Sequence, residues 1–393
     1  MAKMSRKKPD VLRVAVIGAG AMGRAHCATI VEQVDEMQLT AVVDSQVEVA
    51  EEVGKSHDVP AFATVSDLLA SGAADAAMVA TPHPLHLPVV EECLAGGLHV
   101  LCEKPLAETV SAADRMIHAA EQADRTLGVM FQRRFEPVFE AALNFVRDGG
   151  LGDVRRTLLT LPDFRSQAYY EANAWRATWS GEGGGVLINQ APHLMDLFIL
   201  LGGLPQSLRG HAVTSPMHDI EVEDKAEALL HYANGAVGYF YASTTEPKYH
   251  ETLEIIGSRG SLSYRRGQLE CIAYDADVDC ISADSDSIWR RPEIKDVTPT
   301  VEPVPDNRLQ GRLMTNFARH VVFGEPLRCD AESARQSLEL SNAITLSSHQ
   351  DGPVTLPIDR DEYDALLARL RAESRPRKKK VRLDARETDP GLV

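Results

Sequence analysis

The sequence predicts an α/β chain: a doubly wound parallel sheet first, then a second α/β domain with a large, mostly antiparallel sheet. Three observations lead there. Short apolar runs alternate with helical stretches through the first third. Past residue 150 the apolar positions switch to a period of two. A glycine-spaced turn, GAGAMG, joins the first apolar run to the first helical stretch.

VLRVAVIG (11–18) is an apolar run ending in glycine, and AMGRAHCATIVEQV follows with helical spacing. LTAVVD (39–44), DAAMVATP (75–82), HVLCEKP (99–105) and LGVMFQRR (127–134) repeat the run, with QVEVAEEV, PVVEECLAGG and ETVSAADRMIHAAEQAD between them. Buried strands alternating with helices form βαβ units, because parallel neighbours need a crossover that covers the sheet. Further on, SLRGHAVT, DKAEALLHYANGAVGYFYAST, TLEIIG and SLSYRRGQLECIAY alternate as half-buried strands do. Asn234-Gly235 lies between two such runs and signals a hairpin. NRLQGRLMTNFARHVVFG (307–324) and AESARQSLELSNAITLSSHQ (331–350) read as helices, and another should follow Asn189. The Asp- and Pro-rich stretch 275–305 reads as an irregular loop.

Composition excludes several function classes. The chain has 393 residues, 44% hydrophobic and 25% charged, enough for two globular cores. No apolar run reaches the roughly 18 residues that a membrane helix needs. The basic start MAKMSRKKPD has no cleavage pattern and reads as a disordered lead rather than a signal peptide. A net charge of −16 argues against nucleic-acid binding over most of the surface. The exception, RPRKKKVR (375–382), reads as a solvated tail. Six cysteines are scattered without a C-x-x-C pair, which fits a reducing cytoplasm and neither a zinc site nor a disulfide framework. No motif asks for a metal.

Gly18, Gly20 and Gly23 have G-x-G-x-x-G spacing between a strand and a helix, the context that gives the motif meaning. Gly18 permits the tight turn, Gly20 lets backbone approach a pyrophosphate, and Gly23 allows close helix–strand packing. The helix N-terminus, with Ala21 and Met22 in its first turn, attracts phosphates. This is the Rossmann signature. Asp44 ends the second strand, 21 residues after Gly23, where a carboxylate can accept both adenosine ribose hydroxyls and repel a 2′-phosphate. Ser45 and Gln46 follow with no Arg, so NAD is favoured over NADP. Asp44 could also cap the next helix.

CEKPLA (102–107) ends the strand that begins at HVLC, and strand carboxyl ends face the ligand crevice. Glu103, Lys104 and Pro105 therefore belong at its mouth. Beside a cationic nicotinamide, like charge and desolvation disfavour a lysine's ammonium form and bring it toward proton-transfer use. The alternative is a surface lysine paired with Glu103.

GAGAMGRAH, ATPHPLH, CEKPLA, FQRRF and GGGVLINQAPHLMD occur in the order and rough spacing of the glucose–fructose oxidoreductase/inositol dehydrogenase/rhizopine catabolism (Gfo/Idh/MocA) oxidoreductases. The resemblance runs over residues 11 to 357. It implies hydride transfer between NAD(P) and a hydroxyl-bearing carbon, usually of a sugar or cyclitol. It also implies a homodimer or homotetramer formed through the C-terminal sheet. By resemblance, Lys104 is the lysine contacting substrate and cofactor, and His86 lies near the nicotinamide ribose behind Ala80, Thr81 and Pro82. His193 is the histidine of the glycine-run motif, and Arg176 in WRATW belongs to a substrate-side pair. Arg165, Tyr169, Tyr170, Trp175 and Trp179 are further pocket candidates, with core packing the alternative for the tryptophans. The expected division is a disordered lead (1–10), a Rossmann domain (11–134), a substrate and oligomerisation domain (135–357), and a C-terminal helix with a basic disordered tail (358–393).

Asn189 departs from the family, where most relatives carry Asp. An amide cannot take up a proton, although it can donate and accept hydrogen bonds to orient a hydroxyl. The base role then falls to His193 or Lys104. Asn189 could instead be a helix N-cap with Pro192 at the third helical position, His193 a buried structural histidine, and Asp196 an orienting or capping group. Three functions stay open. The first is an NAD-dependent dehydrogenase of a sugar, cyclitol or glycoside-like ring. The second is a cis-dihydrodiol dehydrogenase acting on an aromatic dihydrodiol, carboxylated or not, since NQAPH resembles that subgroup. The third is a non-catalytic NAD(P)-binding regulator.

Overall fold

The computed structural model describes residues 11–173 and 175–375, so the lead and nearly all of the basic tail lie outside the described residues. The first sheet contains β1 (Leu12–Ile17), β2 (Met37–Val43), β3 (Ala61–Phe62), β4 (Ala76–Val79), β5 (His99–Cys102) and β6 (Leu127–Val129). Its order is β3-β2-β1-β4-β5-β6, with every pairing parallel. This is the doubly wound arrangement, and the β1–β4 neighbourhood is its switch point, where ligands bind beyond the strands' carboxyl ends. The strands are buried because helices cover both faces.

The second sheet has nine strands: β7 (Val154–Pro162), β8 (Ser207–Val213), β9 (Lys225–His231), β10 (Val237–Ser243), β11 (Thr252–Gly257), β12 (Gly260–Arg265), β13 (Gln268–Tyr274), β14 (Ile294–Asp296) and β15 (Val354–Thr355). The order is β14-β13-β12-β11-β7-β10-β9-β8-β15. Only the β7–β10 pair is parallel among those described. One face carries Leu159, Leu161, Ala228, Leu230, Phe240 and Ile255, all buried under helices. On the other face Leu229 and Val237 stay exposed. β7 and the short β3, β14 and β15 escaped the sequence reading. VRRTLLTLP opens with two exposed arginines that hide its alternation, and β14 pairs with β13 inside the stretch read as irregular.

The helix Leu309–Phe323 lies in the part assigned by sequence to the second domain, yet it packs on the first. Met314 and Phe317 reach Val14, Ile30 and Met37. Cys329 then extends the first sheet, its carbonyl accepting Val129 N–H at 2.9 Å, before the long helix Ala331–Gln350 crosses back. The chain thus returns to cover the first sheet on the side of the helix Ala21–Gln33.

Candidate active site

The glycine turn is built for close approach. Gly18 sits at φ +94°, and a side chain there would meet Ala80 O at 2.7 Å. A Cβ on Gly23 would meet Gly18 O at 1.8 Å, so only glycine lets the helix Ala21–Gln33 press onto β1. At Gly20 a Cβ would meet nothing within 4 Å. That open space above the helix N-terminus fits a pyrophosphate. Asp44 Oδ2 accepts Ala19 N–H at 2.8 Å and Oδ1 accepts Gln46 N–H at 2.9 Å. The helix cap is Gln46 rather than Asp44, which instead fastens the glycine turn to the end of β2.

The loop after β5 carries Glu103 and Lys104. Glu103 Oε1 is 2.7 Å from Nε2 of the buried His26, and Oε2 accepts Lys104 N–H at 3.0 Å. Burial pushes the Glu103 carboxyl up, but His26 and Lys104 together hold it below the usual range. Lys104 Nζ donates to the backbone carbonyl of Asn189 at 3.0 Å, across from the first domain to the second.

His86 opens the helix His86–Ala95 after β4. It is fully buried, with Nδ1 2.9 Å from Pro105 O and Nε2 2.9 Å from Thr81 O. It ties the loop after β4 to the loop after β5. His83, beside it, has Nδ1 3.0 Å from Glu182 O and its ring edge on Trp175. Burial and the neighbouring His86, Lys104 and Arg176 charges lower its pKa to about 3, so it is neutral.

The glycine run places Asn189 before the helix, not at its cap. The helix begins at Pro192 with Ala191 as the N-cap residue. Proline suits the first helical position, where no N–H is needed, and the helix therefore starts later than the Asn signal indicates. Asn189 is free of capping and turns into the site. Its Nδ2 donates to Tyr169 OH at 3.2 Å and to Glu182 Oε1. His193 lies in the first helical turn, packed edge-on against Phe131 with ring centroids 5.8 Å apart. Its Nδ1 is buried and unpartnered. Burial first, then Lys104, Arg133 and Lys248, lower its pKa well below the usual value, leaving a neutral imidazole. Asp196 is an orienting group: both its oxygens grip Arg134, at 2.5 and 2.7 Å, in a fully buried pair that fixes the helix against the Gln132–Phe135 turn.

The segment after β7, with the short helix Gln167–Glu171, and the residues Trp175 and Arg176 add further side chains. Arg176 stacks on the Tyr169 ring at 4.3 Å and on Trp175 at 4.9 Å, and donates to Tyr169 OH. Arg165 lies 5.1 Å over the same Tyr169 ring and pairs with Asp163 at 2.9 Å. The segment is held by buried Tyr170, whose hydroxyl meets Thr244 Oγ1 at 2.6 Å. His218 adds a second tie, from Asp224 Oδ2 at 2.7 Å to Arg165 O at 2.9 Å. Trp179 does not join this group. Its indole N–H goes to Glu221 O at 3.1 Å and its ring packs on His349, so it is a core residue.

Two matches with known families decide the affiliation. Residues 12–131 match the "oxidoreductase family, NAD-binding Rossmann fold" and residues 139–263 match the "GFO/IDH/MocA C-terminal domain". The chain belongs to the Gfo/Idh/MocA oxidoreductase family. Its N-terminal domain is accordingly an NAD-binding Rossmann domain. Inositol 2-dehydrogenase of Corynebacterium glutamicum is 33% identical over 147 residues, 36% of this chain and 43% of that protein. The chain thus matches less than half the length of that relative. Trans-1,2-dihydrobenzene-1,2-diol dehydrogenase of Bos taurus is 29% identical over 231 residues, 57% of this chain and 65% of that protein. The WlbA dehydrogenase of Bordetella pertussis, solved with NADH and UDP-GlcNAcA, superposes with a TM-score of 0.75 at 25% identity, covering 89% of this chain and all of that one. Levoglucosan dehydrogenase shares the fold, with a TM-score of 0.74 at 22% identity over 88% of this chain and 100% of that one.

Sequence reasoning missed the acidic residues beneath this family member's glycine run. Glu182 is buried, with Oε2 accepting Ala177 N–H at 2.6 Å and Oε1 on Asn189. Burial raises its pKa against the pull of Arg176, Ala177 N–H, Asn189 and Lys104. Glu223 is also buried and accepts Gly185 N–H at 2.9 Å and Leu187 N–H at 3.1 Å. Burial pushes it up to about 7. The available signal was SGEGGG itself: an acid inside a glycine run is charge on a segment that packs tightly. Among the described residues no group of three or more His, Cys, Asp or Glu is placed to hold a metal ion, and no helix is long and apolar enough to cross a membrane.

Proposed function

We propose that this protein is an NAD-dependent dehydrogenase that oxidises a secondary hydroxyl of a sugar, cyclitol or glycoside-like ring. The observation that carries the proposal is the hydrogen bond from Lys104, in the cofactor domain, to the backbone of Asn189, in the second domain, with His193 close enough to feel the Lys104 charge. Bound NAD supplies the hydride acceptor. Gly18, Gly20, Gly23 and the helix N-terminus would hold its pyrophosphate, and Asp44 its adenosine ribose. Lys104 stabilises the developing alkoxide, His193 is neutral and able to accept the hydroxyl proton, and Asn189 orients the hydroxyl. Lys104→Ala is expected to lose turnover by two or more orders of magnitude, on the order of what removal of one oriented charged donor does. NAD should still bind, and unchanged turnover would sink the assignment.

A second reading, a dihydrodiol dehydrogenase for a carboxylated ring, draws on Arg165 and Arg176 flanking Tyr169, since paired guanidiniums suit a carboxylate. Activity on a carboxylated dihydrodiol with none on cyclic polyols would select it.

The working form we propose is a homodimer or homotetramer joined through the uncovered sheet face. Leu158, Leu229 and Tyr239 stand in one register row across β7, β9 and β10, with exposed Val237 nearby. An apolar row on an open sheet asks for a covering partner. Leu229→Glu should convert the oligomer to monomer by light scattering, and a wild-type monomer would contradict the proposal.

A further inference from the structure

We propose that Glu182 is a positioning residue of the reaction centre: its carboxylate, acting through the amide of Asn189, points Asn189 Oδ1 at the substrate hydroxyl and supplies the negative charge that Asn189 lacks. The inference rests on the dehydrogenase reading above and deepens it.

The geometry gives the reason. An ionised carboxylate only accepts hydrogen bonds, whereas an amide has one accepting and one donating end. Glu182 Oε1 meets Asn189 Nδ2, and Tyr169 OH meets the same nitrogen at 3.2 Å. A flipped amide would set Oδ1 against the carboxylate, two acceptors face to face. The donor end of Asn189 is therefore committed inward, and the accepting oxygen is the end left for a hydroxyl. An accepting oxygen there holds a ring hydroxyl beside the reacting carbon, while the carbinol proton itself goes to His193.

Glu182 is itself held. Oε2 accepts Ala177 N–H at 2.6 Å, and Ala177 stands at φ +57°, a left-handed conformation that costs a residue with a Cβ about 1 kcal/mol or more. The chain accepts that cost and presents its N–H to the carboxylate. At 2% exposure, a lone carboxylate would be expensive to bury without opposite charge. Lys104 and Arg176 provide it, Glu223 faces it from beneath the glycine run with like charge, and the neutral His83 ring sits on the Glu182 carbonyl. Tyr169 and Asn189 complete its surroundings. The centre thus contains a carboxylate one hydrogen bond removed from the place the family pattern assigns it, with Asn189 as the intermediary.

Ionisation of Glu182 then shapes the pH profile. Its pKa lies above the ordinary carboxyl value, so the orienting charge is present at higher pH and is lost as pH falls through that raised value. His193 titrates well below its usual range and does not set this limb.

The test compares wild type, Glu182→Gln, Asn189→Asp and the double variant Glu182→Gln/Asn189→Asp by NAD reduction against pH, with NAD affinity and melting temperature measured for each. Glu182→Gln should lower kcat on the order of a hundredfold, leave NAD affinity unchanged and remove the acid limb. The double variant should regain most of that loss, because a carboxylate at 189 needs no orienting. Wild-type kcat and pH profile in Glu182→Gln would overturn the proposal, and so would a double variant as slow as the single one while both stay folded. If Glu182→Gln fails to fold, Asn189→Asp decides. Two adjacent carboxylates must share a proton, so its acid limb should move to higher pH, and an unmoved limb overturns the proposal. A readout without turnover separates this inference from the dehydrogenase reading. In protein with 15N-labelled asparagine, the Asn189 side-chain amide should show a strongly hydrogen-bonded proton that shifts as Glu182 titrates. The same resonance unchanged in Glu182→Gln would contradict the contact even if no substrate is found.

Discussion

Gly20 and Gly23 belong to one motif, yet alanine should have opposite effects at the two positions. At Gly23 the new Cβ would lie 1.8 Å from Gly18 O, a backbone atom. Relief needs the helix Ala21–Gln33 to move off β1 by more than an ångström, which costs about 3 kcal/mol or more. At Gly20 the Cβ would meet nothing within 4 Å, and the residue sits at φ −68° and ψ −165°, extended backbone that alanine adopts freely. Gly20→Ala should therefore leave stability unchanged or raise it by about 0.4–1 kcal/mol, since alanine narrows the unfolded ensemble. The same methyl group fills the space assigned to the pyrophosphate. NAD affinity should fall at least about tenfold, or about 1.4 kcal/mol. Urea unfolding gives the first quantity and calorimetric titration with NAD the second. A Gly20→Ala protein that binds NAD like wild type would refute the placement of the cofactor, and a Gly23→Ala protein as stable as wild type would refute the packing argument.

Two further outcomes follow from the same geometry. Asp44→Ala removes the carboxylate at the end of β2 and its bond to Ala19 N–H, so NAD affinity should drop about tenfold or more and the preference for NAD over NADP should narrow in competitive titrations. Glu223 is buried with its pKa raised from 4.5 to about 7. A raised carboxyl favours the folded state below the unfolded value and loses that contribution as pH rises through the folded one. At about 1.4 kcal/mol per pH unit, wild type should lose about 3 kcal/mol relative to Glu223→Gln between about pH 4.5 and pH 8. A stability difference between the two that does not vary with pH would show that Glu223 is not held in that way.

The first sheet was legible because its signals are local. Apolar runs, glycine spacing and Asp44 each sit within a few residues of the contacts they make, and βαβ repetition leaves little freedom of topology. Most of the antiparallel strands were legible for the same reason, through alternation. β7 was not, because its pairing with β10 and β11 makes it central while its sequence opens on exposed Arg155 and Arg156. The helix Leu309–Phe323 has an ordinary amphipathic pattern that says nothing about which sheet it covers. Among the candidate site residues, Lys104, Asn189 and His193 were named by motif, but their mutual arrangement was not. Asn189 carried a capping signal that Pro192 overruled. Glu182 and Glu223 were invisible as a pair because residues 41 apart in the chain meet only through tertiary packing beneath the glycine run. His86 and Trp179 show the converse: a motif position or an aromatic ring names a residue without saying that its polar atoms are already taken within the fold.

The most direct test of the account is NADH absorbance on mixing the purified protein with NAD and a panel of sugars, inositols, glycosides and dihydrodiols, with Lys104→Ala alongside. The account predicts NADH formation with at least one ring alcohol and its loss in Lys104→Ala, which still binds NAD. Confirmed NAD binding with no NADH from any ring alcohol, or equal turnover in Lys104→Ala, would contradict it and favour a nucleotide-binding regulator on the same fold.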